Sequence, residues 1–137
     1  MERIQCTKSF FQDEFIYPNG DFNKVDSKLV IVAQWIRDTL GKPVTINNYA
    51  TGGQYKESGL RDINTTTGAK KSAHKEGKAI DIKVKGMTAK EVFDWCLDHQ
   101  IELYAMGIRE IEDNKYTPTW THLGTRGNHL AIKVIKP

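Results

Sequence analysis

What this chain lacks narrows the field first. Of its 137 residues only 2 are cysteine. Cys6 and Cys96 lie far apart and form no Cys-x-x-Cys pair, and Cys96 falls among the apolar Val92, Trp95 and Leu97, so both read as buried or idle thiols. No long apolar run exists either. The best stretches, 29–33 and 101–106, fall far short of the roughly 20 residues that a membrane helix needs, so no membrane span is expected. Nor is there an excess of one charge: 20 Lys and Arg are interspersed with 17 Asp and Glu for a net +3. With no aromatic stacking platform or groove-reading helix beside the lysines, no nucleic-acid partner is expected, and a basic nucleic-acid-binding domain is only the third reading. Met1 is followed by Glu2, Arg3, Ile4 and Gln5, with no basic-then-apolar leader, so the expectation is cytoplasmic synthesis without a signal peptide. No internal repeat or low-complexity tail is evident. The length, with 39% hydrophobic residues, suits one small domain over 1–137.

What is present has clear periodicity. Ser9 and Gln12 have capping-box spacing, which predicts a helical turn ending before Pro18. Asp26 as N-cap, Leu29, Ala33, Ile36 and Leu40 at three-four spacing, and Gly41 then Pro43 as a stop predict a helix over about 27–40. Val44, Ile46 and Asn48 alternate with Thr45, Asn47 and Tyr49, as in a half-buried strand over about 43–49. Residues 50–73 carry no pattern, and a loop longer than about 15 residues in a compact domain is usually functional or disordered. In 79–85, Ile80, Ile82 and Val84 take one face of a strand while Asp81 and Lys83 take the other. Thr88 and Glu91 form a capping box for a helix over about 88–99. Antiparallel strands are expected over about 103–112, 119–124 and 129–135. The whole predicts an α+β fold, with helices packed on a central antiparallel sheet.

Four histidines are available, and catalytic zinc commonly takes three ligands from His, Asp, Glu or Cys. His74 precedes the strand residue Asp81, with Gly77 between them to permit a tight reversal. Strand alternation puts Trp120 and His122 on one face, so His74, Asp81 and His122 converge if the two strands are neighbours. His99, near a helix C-terminus, and His129, in a turn, read as ordinary.

The pattern Ser72, His74, Gly77, Ala79, Asp81 resembles the zinc-binding signature of the D-alanyl-D-alanine carboxypeptidase and hedgehog-type metallopeptidase superfamily. Trp120-Thr121-His122-Leu123-Gly124-Thr125-Arg126-Gly127 resembles that family's closing motif, and 29–47 resembles the helix-then-strand opening of its peptidoglycan-cleaving branches. The resemblance implies Zn²⁺ held by His74, Asp81 and His122, and a peptidase acting on peptidoglycan stem peptides as an endopeptidase or D,D-carboxypeptidase. It further implies action on the cell wall after release, as in a phage endolysin.

The chain departs from the family at three places. Thr119 stands where many members have an acidic general base, Gly124 where they have an Asp, and Ala50 where they have an Arg. Glu110 and Glu112, on one parity of the preceding strand, are the candidates for the missing base. Arg61 and Ser72 are candidates to bind a substrate carboxylate, and Trp120 to wall the cleft. Lys70, Lys71, Lys75, Lys78, Lys83 and Lys85 either attract anionic wall peptides or form a solvated face. The alternative function is a catalytically impaired, zinc-containing wall-binding or phage structural module.

Overall fold

In the computed structural model, which describes residues 2–137, α1 (Ser27–Leu40) begins where the Asp26 carboxylate accepts a hydrogen bond from Lys28 N at 3.0 Å. It ends at Gly41, whose φ of 64° turns the chain out of the helix. Leu29, Val32, Ala33 and Ile36 of α1 are fully buried. The helix packs beside the short strand β1 (Val44–Thr45). The chemistry-bearing strand β2 (Ala79–Val84) follows the long loop, and α2 (Ala89–Asp98) opens with the Thr88 and Glu91 capping box expected of it. After α3 (Gln100–Ala105) come β3 (Glu110–Glu112), β4 (Thr121–Gly124) and β5 (Lys133–Ile135).

The five strands lie in the order β1-β2-β4-β3-β5, antiparallel except for β3 with β5. α2 covers β2 and β4. Ile80, Ile82, Ile111 and Leu123 meet Val92 and Cys96 in the core, with the four strand residues at 0–1% exposure. Each such side chain contributes about 1.5–3 kcal/mol through burial. Because side chains alternate, the residues between them turn to the opposite face: Asp81 and Lys83 on β2, His122 on β4, Glu110 and Glu112 on β3. The fold class is α+β, with helices on one side of the sheet and a row of polar residues on the other.

Four local expectations are corrected. Ser9 does not cap a helix: its N–H donates to Gln34 on α1, and the turn falls at Gln12–Phe15, where Glu14 accepts from Phe11 N. The strand at 43–49 stops at Thr45, because Asn47 is buried and takes other partners, Ile16 O at 2.8 Å and Ser58 N at 2.9 Å. Within 103–112 only Glu110–Glu112 is strand. Gln100, Glu102, Leu103 and Ala105 are good helix formers, Leu103 is buried while Ile101 is 79% exposed, and Gly107 at φ 109° ends the turn after α3. Finally, β5 runs parallel to β3: β4 ends where β5 begins, and the connection steps past β3. Leu130, expected inside that strand, lies in the connection at 96% exposure.

Candidate metal centre

The pairing of β2 with β4 sets Asp81 directly opposite His122. His74 reaches the same point from the short 3-10 turn Ala73–Glu76, whose first N–H groups are held by Ser72: its Oγ accepts from His74 N at 3.2 Å. Gly77 then reverses the chain at φ 70°, and its carbonyl accepts from Asp26 N at 2.8 Å. A Cβ at this position would strike the Lys24 carbonyl. Gly77→Ala is therefore expected to destabilise the protein by at least about 1–3 kcal/mol, from the left-handed backbone alone; a thermal melt matching wild type would overturn this.

His74, Asp81 and His122 each offer one donor atom, all within 4.8 Å of one another, and all three residues are buried. His74 Nε2 stands 3.1 Å from Asp81 Oδ1 and 3.2 Å from His122 Nδ1, and His122 Nδ1 stands 3.0 Å from Asp81 Oδ1. His74 Nδ1 lies 2.9 Å from the Gly59 carbonyl, which can only accept. Nδ1 therefore carries the hydrogen, and in the neutral ring Nε2 presents a bare lone pair to the carboxylate. A proton can bridge one pair of these atoms. A metal ion satisfies all three at once, and two imidazoles with one carboxylate suit zinc. The residues present fit the ion.

The surroundings orient this set. Asp81 directs Oδ1 to the histidines, while Oδ2 lies 3.4 Å from Arg61 Nη2. Arg61 also donates Nε to the Glu57 carbonyl at 2.6 Å. Such outer contacts fix a ligand's orientation. Burial pushes the Asp81 carboxyl upward, but His74 and His122, once protonated and donating to it, outweigh burial and hold the group below the usual carboxylate range. Gly59 is fixed in turn by close packing, since a Cβ there would strike the Phe15 carbonyl.

β3 pairs with β4 so that Glu110 faces Gly124 and Ile111 faces Leu123. The next residue, Glu112, comes beside His122, with Oε1 3.1 Å from Nδ1. Burial raises the Glu112 pKa, against the pull of His122. Glu110 is turned elsewhere, its Oε1 3.8 Å from Arg126 Nε. Thus the two carboxylates expected to be equivalent differ in their distance from the histidines.

A cavity of about 650 Å³ opens over this group, and Ser72, Arg61 and Trp120 all line it. Ser72 Oγ and the Arg61 guanidinium already have partners inside the protein. His99 stacks on Trp95 with centroids 4.1 Å apart, and neither it nor His129 belongs to the His74, Asp81 and His122 group. Tyr55, Glu57 and Ser58, which also line the cavity, and the Gly59 carbonyl were not anticipated; they sit in the patternless loop, where nothing local marks them. Lys83 was legible, since it shares the Asp81 face of the strand.

A family model described as Peptidase M15 matches residues 7–117. That span includes His74 and Asp81 and ends before His122. No curated protein and no solved structure matches the chain.

Proposed function

The chain belongs to the peptidase M15 family, and from that premise we propose that it is a zinc-dependent peptidase hydrolysing peptide bonds in peptidoglycan stem peptides. The observation that carries this reading is the mutual approach of His74 Nε2, Asp81 Oδ1 and His122 Nδ1, three buried ligand atoms close enough to share one cation. Bound there, zinc would supply Lewis acidity toward the scissile carbonyl and lower the pKa of water to about 7. The protein supplies the rest. Glu112 accepts the proton of the attacking water on a carboxylate oxygen and delivers it to the leaving amine nitrogen, so the amide C–N bond breaks with no covalent enzyme intermediate. Gly59 O keeps the His74 ring turned with Nε2 inward, and Arg61 holds the outer oxygen of Asp81.

The choice of wall peptide as substrate rests on the Ser72-to-Asp81 and Trp120-to-Gly127 motifs. Digestion of purified sacculi, followed by mass analysis, tests it. Zinc-loaded protein is expected to release new amino termini, to stop on chelation and to resume when zinc returns. Metal-loaded protein that releases none from several wall types would favour the binding or structural module instead.

A further inference from the structure

We propose that Lys83 anchors a carboxylate of the substrate, so that the cavity selects peptides bearing a free carboxylate close to the scissile bond. This rests on the peptidase reading above and names the substrate feature which that reading leaves open. The cavity contains several cations, but most are committed or peripheral. Arg61 is engaged by Asp81 and the Glu57 carbonyl. Arg126 donates to Glu76 and to the Lys71 carbonyl, both at 2.7 Å. Lys56, Lys71 and Lys136 are exposed at the rim.

Lys83 is different. It is half-buried, and among the described residues no carboxylate lies within ion-pair distance of its ammonium. Its neighbours are the Ser58 hydroxyl, which accepts from Nζ at 3.3 Å, and the Tyr55 ring, with Nζ 4.1 Å from the centroid. A hydroxyl and an aromatic face steady an ammonium without neutralising it. An ammonium partly withdrawn from water, with no carboxylate in contact and Asp81 acting on it only from a distance, gains from an incoming anion that pairs with it directly.

Position supplies the rest. Lys83 lies two residues beyond Asp81 on the same face of β2, roughly 7 Å along the strand. Consecutive Cα atoms of a peptide are about 3.8 Å apart. A peptide whose scissile carbonyl sits at the His74, Asp81 and His122 group therefore brings the carboxylate of the next residue within reach of a lysine side chain. Two sources share this chemistry, the terminal α-carboxylate and an acidic side chain.

Binding calorimetry on the full-length chain kept free of metal, where no turnover intervenes, tests the anchor. The probes are N-acetylated stem-peptide analogues with the C-terminus as acid or amide, and with a glutamyl side chain free or amidated. Wild type is expected to bind the matching acid at least about tenfold more tightly than its amide. Lys83→Met should erase that preference and Lys83→Arg should keep part of it. The amidation that matters identifies the source of the carboxylate. Wild type that binds acid and amide alike overturns the anchor without reference to any variant, as does a Lys83→Met protein that keeps the preference. Turnover of the zinc-loaded protein on the same peptides is read separately. An active enzyme indifferent to both amidations removes the anchor alone. An inactive protein with a Lys83-dependent preference removes the peptidase reading alone.

Discussion

Glu112→Gln is expected to cut turnover by about 10²- to 10⁴-fold while the protein keeps its full zinc complement. Glutamine matches glutamate in shape but takes no proton at neutral pH, so the change isolates proton transfer from the geometry of the site. Glu112 Oε1 lies 3.1 Å from His122 Nδ1, yet Glu112 is not part of the mutually close His74, Asp81 and His122 set. That places a carboxylate beside the site without making it one of the ligands. Burial raises its basicity, which suits a group that must accept a proton and pass it on. Glu110→Gln is the control. Its carboxylate faces Gly124 and Arg126, so its rate should stay within about tenfold of wild type. Zinc content by elemental analysis and steady-state rates on a stem peptide check both variants. Wild-type rates in both would leave water activation to the metal or to another group. Loss of zinc from Glu112→Gln would make Glu112 a ligand instead of a base.

The difference between these two glutamates shows how far the sequence can be read. Alternation in 110–112 puts both on one face, and the same rule correctly predicts Asp81 and His122 pointing away from the core. Period-two patterning carries this much because it depends only on backbone geometry. Which glutamate stands nearer His122 depends on the hairpin register, and the long irregular link between β3 and β4 does not set that locally. The Gly59 carbonyl that fixes the His74 tautomer is still less visible, since any residue has a carbonyl. Its placement comes from a loop packed against Phe15, fifteen residues from the histidine it serves. The strand expected over about 103–112 begins inside helix α3, where Leu103 is buried and Ile101 is exposed. Two apolar residues cannot distinguish the periods, and the helix-forming residues around them decide.

Zinc is expected to raise the melting temperature of the wild-type protein by on the order of 10 °C, and His74→Ala is expected to abolish most of that rise together with stoichiometric binding. A ligand that binds only the folded state stabilises it by about 4 kcal/mol at a thousandfold excess over its dissociation constant, which gives a shift of this size in a protein of 137 residues. Removing the ring takes away one of three donors and also leaves the Gly59 carbonyl without its partner. The variant's metal-free melting temperature is therefore expected to fall too, by the few degrees that a lost buried hydrogen bond costs. For that reason the informative quantity is the zinc-induced shift within each protein, measured by calorimetry alongside elemental analysis. A His74→Ala protein that binds one zinc with wild-type affinity and shows the wild-type shift would remove His74 from the centre, whatever its absolute stability.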